Sequence, residues 1–295
     1  MTHSRAVFLM VLVTLMWSIA GVVTRHLQGA ESFEVTFWRS AFTLLALSIA
    51  LSTMRGAAWW RDVLRARWPL WVSGLCWAVM FTAFMIAITM TTVANVLVTM
   101  AIAPLLTALV ARVALGQRLP LRTWAAIVVA GVGIGWMYAH EFAVVDTRHF
   151  AGTAVALAVP IAAALNWTAI QRSRGGGADL LAAVLIGARL SSLLTLPLAA
   201  PLSASAHDVA LLALLGIAQL AIPCLIAVAA ARVLAAPEVA LLSLLEIVFG
   251  VTWTWLGAGE TPSRHVLEGG ALVLGALVAN ESIALRQRRL VADAT

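Results

Sequence analysis

Residues 68–111, WPLWVSGLCWAVMFTAFMIAITMTTVANVLVTMAIAPLLTALVA, contain no charged residue and decide the fold. The stretch is 44 residues long, and a bilayer needs about 20 apolar residues per helix, so it predicts two membrane helices. We divide it at Met90-Thr91-Thr92, where polar residues cluster. Hydrophobic residues make up 62% of the 295 residues and charged residues 11%. This composition excludes a soluble globular chain, because a folded surface needs a polar coat.

Apolar runs of similar length occur along the whole sequence and predict an all-α integral membrane protein with ten transmembrane helices. The first run is interpreted as an uncleaved membrane helix, because further hydrophobic segments follow it. The approximate bounds of the ten spans are 6–24, 33–53, 68–89, 93–115, 123–139, 151–170, 180–200, 209–231, 239–256 and 266–284.

The arginines provide a test of this helix count. All 19 basic residues are arginine. With alternating helices, 14 of them fall on one face of the membrane and 3 on the other, while Arg39 and Arg189 fall inside spans. The positive-inside rule therefore predicts that both termini are cytoplasmic. The net charge of +6 is explained by membrane orientation, and no nucleic-acid partner is expected.

Residue spacing predicts an internal repeat. Trp17 and Arg39 are 22 residues apart, and so are Trp167 and Arg189. In addition, Leu115-Gly116-Gln117 aligns with Ala258-Gly259-Glu260 at an offset of 143.

The repeat predicts five helices in 5–139, five in 150–285, and a cytoplasmic tail in 286–295. Because five is an odd number, the second unit enters the membrane in the opposite orientation to the first. Inverted repeats around a central cavity are typical of secondary transporters, whose substrate site lies near the midplane between the halves.

Two segments, Leu245-Glu246-Ile247-Val248-Phe249-Gly250 and Gly259-Glu260-Thr261-Pro262, resemble the second-repeat pattern of the drug/metabolite transporter superfamily, EamA type. That pattern has an acid and a proline in the penultimate helix and a Gly-Glu pair after it. The sequence departs from it at Ile247, where proline is usual, and at Gln117, where the first repeat often carries the acid, while Pro104 retains the first-half proline.

The resemblance covers residues 6–284, and within the superfamily the chain is most similar to the aromatic amino-acid exporters. It implies a multi-pass protein of a bacterial-type inner (plasma) membrane that exports small organic solutes by alternating access, with neutral and aromatic amino acids as the leading substrates. A multidrug or other metabolite exporter is the alternative within the carrier class. A membrane-embedded lipid-modifying enzyme is the alternative from another class.

Three charged residues inside spans are candidates for function, because charge in the bilayer is costly and usually faces a cavity or a partner. Glu246 fits a proton-coupling acid, a partner for a substrate amine, or a structural hydrogen bond. Arg39 and Arg189 fit a carboxylate-binding pair or a structural pairing with Glu246 or with backbone carbonyls. Arg39 is also near enough to a helix end to snorkel.

Other cavity candidates share a helical face or lie beside a proline. Each has an alternative role in core packing or lipid contact. They are Thr14, Trp17 and Ser18 in the first span, Trp77, Phe81 and Met85 in the third, Asn95 and Thr99 in the fourth, and Asn166 and Trp167 in the sixth. Pro104, Pro160 and Pro223 are hinge candidates. No catalytic residue, metal site or cofactor is expected; the expected partners are a small-molecule substrate and membrane lipid, and the oligomeric state is left open.

Overall fold

A computed structural model of the chain describes all residues except 57–58, 61–62, 64–67, 117, 144–146, 173–179, 231–232, 235–241, 244 and 294–295. The described part is built from ten helices. Eight of them are long and apolar enough to cross a membrane, and shorter apolar segments are found at Leu121–Trp136 and Leu245–Ala258.

The first half contains five helices. Their bounds are α1, His3–Ser18 continued by Ala20–Thr24; α2, Ser32–Arg55; α3, Trp68–Met90; α4, Val93–Met100 continued by Ala103–Leu115; and α5, Leu121–Ala143.

The second half contains the other five. Their bounds are α6, Thr147–Ala156 continued by Ala158–Arg172; α7, Leu180–Thr195 with a 3-10 turn at Leu196–Leu198; α8, Ala206–Leu214, a π-helical segment Leu215–Ala221, and Ile222–Ala230; α9, Leu245–Ala258; and α10, Arg264–Asp293.

The ten predicted spans correspond in order to these ten helices. The largest differences are near the C-terminus. In the span predicted at 239–256, residues 242–243 and Leu245–Ala258 are helical, and 239–241 and 244 lie outside the described residues. Helix α10 has 30 residues, so it continues through most of the predicted tail. At 1.5 Å per residue it is about 45 Å long, and the hydrocarbon core is about 30 Å thick.

Helix α1 is interrupted at Ile19 without a proline. The Thr14 hydroxyl donates to the carbonyl of Val11 at 2.8 Å, and the Ser18 hydroxyl donates to the carbonyl of Leu15 at 2.7 Å. Such bonds from serine and threonine to the preceding turn compete with the helical ladder and bend helices. Two of them in successive turns directly precede the interruption of α1 and favour bending there.

The three proline hinge candidates lie directly after interruptions of their helices. Pro104 and Pro160 fall in the first turn of the second segments of α4 and α6, and Pro223 follows the π-helical segment of α8. Proline has no N–H to donate and is therefore tolerated in a first turn. The breaks lie inside the spans, where they leave backbone carbonyls without their usual helical partners.

Helices of the two halves pack against one another. Helix α1 packs against α8 and α9, and α6 packs against α3 and α4. Helix α2 packs against α7 and α8, α7 also packs against α3, and α5 packs against α10. Large apolar side chains such as Phe8, Val113 and Leu256 remain exposed on the outside. Lipid solvates such surfaces in a multi-pass membrane protein.

Candidate functional site

A buried arginine lies where α1, α2, α3 and α8 meet. Arg39 is 2% exposed, and its Nε and Nη2 donate to Oε1 of Gln219 at 3.2 and 2.9 Å. Nε2 of Gln219 donates to the carbonyl of Trp17 at 3.0 Å. The guanidinium carbon of Arg39 lies 5.8 Å from the ring centre of Phe81 and 5.6 Å from that of Phe84. We call these five residues the Arg39 cluster.

The π-helical segment of α8 positions Gln219 in this cluster. Single stretches of π-helix are rare and frequently occur at functional sites. Gly216 in the same segment allows α8 to approach α2 closely, since a Cβ there would meet the carbonyl oxygen of Arg39 and Cβ of Phe42 at 2.6 Å. The hydroxyl of Thr43 donates to the carbonyl of Gly216 at 3.0 Å and fixes the contact.

The charge of Arg39 is only partly compensated. Its Nη1 is buried without a hydrogen-bond partner, and no ion pair joins Arg39 to an acidic residue in the part of the chain that the structure describes. Glu246 forms no ion pair with it. Gln219 is neutral, so it orients the guanidinium without cancelling its charge.

A second polar cluster lies one residue further along α2 and joins three helices. The hydroxyls of Ser40 on α2 and Ser191 on α7 are 2.9 Å apart, and those of Thr82 on α3 and Ser191 are also 2.9 Å apart. Ser40 and Thr82 belong to the first half of the chain and Ser191 to the second. These hydroxyl contacts therefore connect the two halves inside the membrane span.

Three other predicted residues are Trp77 and Met85, which lie beside Phe81 of the Arg39 cluster, and Glu246, which lies on α9. Trp77 packs against Phe81 with ring centres 5.5 Å apart, and its indole N–H is buried without a partner. Met85, one turn beyond Phe81, is completely buried. Glu246 is half-buried in the first turn of α9 and makes no hydrogen bond within the described residues.

The remaining predicted residues are distributed over α1, α4 and α6. Thr14 and Ser18 are buried, but their hydroxyls bond within α1. Asn95 donates from Nδ2 to Thr91 at 3.2 Å, and Thr99 is buried. Asn166 is completely buried, with both amide atoms lacking partners among the described residues. The side chain of Trp167 lies outside the described part.

Arg189 is in a different environment from Arg39. It is exposed on α7, and it makes no hydrogen bond or ion pair with any described residue. Residues 181–188 are all buried, whereas Leu193 and Leu194 are exposed, so the face of α7 that carries Arg189 turns away from the bundle. A pairing of Arg189 with Glu246, one alternative from the sequence, is therefore absent.

An ion pair joins the halves at the end of the bundle where α1 ends and α10 begins. Nε of Arg25 lies 2.6 Å from Oε2 of Glu260. Arg25 also donates to the carbonyls of Ile88 and Thr91, both at 2.8 Å, and Oε1 of Glu260 accepts from the backbone N–H of Val93 at 2.6 Å. This group, the Arg25–Glu260 network, connects α1, the α3–α4 turn and the loop after α9.

Two further carboxylates bind backbone N–H groups at the same end. Asp208 of α8 accepts from residues 28, 29 and 30 at 2.9–3.1 Å. Glu34 of α2 accepts from the N–H of Ala204 at 2.8 Å and from the hydroxyl of Ser203 at 3.2 Å. Each contact again crosses between the halves. No group of three or more potential metal ligands occurs among the described residues.

Gln219 is the main site residue that sequence reasoning missed. It is the only amide in the apolar run 209–231 and precedes Pro223 by four residues. That combination is a usable signal, because a polar side chain in a span needs a partner. The serine pair had a weaker signal: Ser40 and Ser191 follow Arg39 and Arg189 by one and two residues.

The helices and the polar contacts inside the bundle define a multi-pass integral membrane protein. Residues 4–139 match the model of the EamA-like transporter family, a family of membrane transporters. The predicted resemblance to the EamA type is confirmed over these residues.

The fold has a counterpart among solved structures. A crystal structure described only as that of a protein is similar to the chain with a TM-score of 0.65 and 20% sequence identity. The alignment covers 97% of this chain and 99% of the other, so the likeness in fold extends over both halves. The comparison with curated proteins gives no match.

Proposed function

We propose that the protein is a secondary or facilitative transporter of small organic solutes, in which two five-helix repeats of opposite orientation enclose a substrate pocket. The family match over 4–139 supports transport, and the likeness in fold over 97% of the chain supports extending the architecture to the second half. The predicted units 5–139 and 150–285 are the two repeats of this proposal.

The observation that carries the proposal is that each helix contact between the halves has a counterpart when the two halves are exchanged. If α1–α5 are equivalent to α6–α10, the contacts of α1 with α8 and α9 correspond to those of α6 with α3 and α4. The α2–α8 contact likewise corresponds to the α7–α3 contact, and the α2–α7 and α5–α10 contacts each correspond to themselves. A twofold relation between the repeats accounts for this whole pattern.

The ends of α4 and α9 support the same relation. Gly116 and Gly259 directly follow these helices, and both have φ of +67°. They are 143 residues apart in sequence, as in the proposed alignment. Glycine is favoured at this left-handed position after a helix because it has no Cβ.

For the substrate we propose neutral and aromatic amino acids, moved outward by alternating access from the cytoplasmic side of an inner membrane. The rings of Phe81 and Phe84 beside Arg39 support a solute with an apolar part. The outward direction and the cytoplasmic termini follow from the sequence resemblance and the arginine distribution. A cationic drug is the competing substrate class.

The test is uptake into proteoliposomes that contain the purified full-length chain, with labelled phenylalanine, threonine and a cationic dye compared. We expect phenylalanine to enter faster than into empty vesicles and the dye not to. Uptake of the dye alone would favour the multidrug alternative, whereas no movement of any solute would overturn the transport proposal.

An imposed pH gradient extends the test to coupling by Glu246. We expect the gradient to accelerate uptake by the wild type but not by Glu246→Gln, because the amide cannot carry a proton. Glu31→Gln is the matched control, since Glu31 is exposed before α2 and its side chain makes no capping bond. Equal responses of the wild type and Glu246→Gln would show that Glu246 is not the coupling acid.

A further inference from the structure

We infer that Arg39 binds the carboxylate of the transported solute and that the rest of the solute lies against the rings of Phe81 and Phe84. The substrate class is then that of small aromatic or apolar carboxylates, amino acids included. This inference rests on the proposed transport function and adds the chemistry by which the solute is recognised.

The first argument is that two buried hydrogen-bond donors in and beside the Arg39 cluster have no acceptor. Nη1 of Arg39 and the indole N–H of Trp77 are both buried and unpartnered. Both side chains contact Phe81, with the guanidinium carbon 5.8 Å and the indole ring 5.5 Å from its centre. Buried donors are normally satisfied, so each of these two donors lacks an acceptor, and a carboxylate oxygen of the solute supplies one to Nη1 of Arg39.

The second argument is that the missing group is an anion. A guanidinium removed from water needs a counter-charge, because its desolvation is costly. Gln219 accepts two of its N–H bonds but has no charge, and Glu246 forms no ion pair with it. An arginine with a purely structural role is expected to have an acid in contact or all its donors bonded. Arg39 has neither among the described residues.

The third argument concerns the shape of the surroundings. The rings of Phe81 and Phe84 both lie within 6 Å of the guanidinium carbon, a distance at which a cation and a ring attract. Met85 is buried one turn beyond Phe81. Aromatic and thioether side chains pack well against an aromatic solute, so charge recognition and apolar contact occur side by side.

The orientation of Arg39 is fixed before the solute arrives. Gln219 holds Nε and Nη2, and is itself held by the carbonyl of Trp17, so Nη1 is the donor left for a ligand. Since Arg39 is sealed from solvent in this structure, the solute reaches it in a conformation in which the halves have separated. Preorganised donors lower the entropic cost of binding.

The first experiment is competition binding to the wild-type protein in nanodiscs, with labelled L-phenylalanine as the probe. The competitors are 3-phenylpropanoate, which has a carboxylate but no ammonium, and 2-phenylethylamine, which has an ammonium but no carboxylate. We expect 3-phenylpropanoate to displace the label and 2-phenylethylamine to fail at tenfold higher concentration. Equal displacement by the amine, or no binding of phenylalanine, would overturn the inference.

The second experiment uses Gln219→Glu, which places a carboxylate on Arg39 without changing the size of the side chain. We expect the variant to fold and to bind phenylalanine at least about tenfold more weakly, because its own carboxylate occupies the guanidinium. Arg39→Lys, which loses the planar fork of donors, should weaken binding similarly. Arg264→Lys, an exposed arginine at the start of α10, is the control and should bind as the wild type does. Wild-type affinity in Gln219→Glu or in folded Arg39→Lys would overturn the inference.

These outcomes are distinct from a failure of the transport proposal. If proteoliposomes move the cationic dye while no carboxylate binds, transport stands and the carboxylate site is overturned. If carboxylates bind in an Arg39-dependent way but no solute crosses the membrane, the site stands and transport is overturned.

Discussion

At the scale of single residues, Arg39 and Gln219 explain each other's presence inside the membrane. An arginine in a span needs acceptors and an amide in a span needs both donors and acceptors. Two hydrogen bonds between their side chains and one to the carbonyl of Trp17 meet most of these needs. The pair therefore fixes how α1, α2 and α8 are placed relative to one another.

We predict that Gln219→Leu lowers the thermal stability of the protein. The substitution leaves the buried Nε and Nη2 of Arg39 without their acceptor, which costs about 1–3 kcal/mol. The measurement is the apparent Tm of the detergent-solubilised protein. Gln28→Leu is the control, since the Gln28 side chain is exposed and only its backbone N–H is bonded. Equal Tm values for the two variants would contradict a structural contribution of Gln219.

At the scale of helices, the interruptions lie inside the spans, and several polar contacts between the halves lie at one end of the bundle. Helices α1, α4, α6 and α8 are interrupted inside their spans, which favours local bending there. The Arg25–Glu260 network, Asp208 and Glu34 connect the halves at one end. Polar contacts thus connect the halves at that end, whereas the interruptions lie inside the spans, where the alternating access that we propose requires the helices to bend.

We predict that Glu260→Gln loosens this end. The amide keeps the size of the side chain but loses the charged contact with Arg25, so the end opens more often. The measurement is the rate at which maleimide labels Val93→Cys in nanodiscs, with Cys76 and Cys224 replaced. Val93 is 1% exposed and its N–H bonds to Glu260, so labelling should accelerate several-fold.

The matched control for this prediction is Glu268→Gln. Glu268 accepts a hydrogen bond from Trp136 between α5 and α10, away from the Arg25–Glu260 network. Labelling of Val93→Cys should be unchanged in this background. If both substitutions accelerate labelling equally, a general loss of stability explains the effect and the network does not hold the end closed.

At the scale of the whole molecule, the helix count and order could be read from the sequence because both depend on local composition. Each span needs about 20 apolar residues in a row, and arginines lie between most of the spans. The break at Ile19 could not be read in this way, because the hydroxyl bonds that favour bending there are ones that any serine or threonine in a helix can form or omit.

The candidate site was only partly predictable for a related reason. Trp17, Phe81 and Arg39 stand out because aromatic and charged residues are conspicuous in apolar runs. The contrast between Arg39 and Arg189 is not visible in the sequence, since it depends on how α2 and α7 are rotated about their axes in the bundle. Gln219 enters the cluster through a π-helical segment, and such segments have no clear sequence pattern.

The length of α10 has a consequence for the lipid that surrounds the protein. About 15 Å of this helix extends beyond the hydrocarbon core, and Arg286, Arg288 and Arg289 lie in that portion of the helix. Anionic headgroups attract each such arginine by about 1 kcal/mol. We expect replacing all three with glutamine to abolish a stabilising effect of phosphatidylglycerol over phosphatidylcholine on Tm. An unchanged effect would mean that surface potential does not act through this helix.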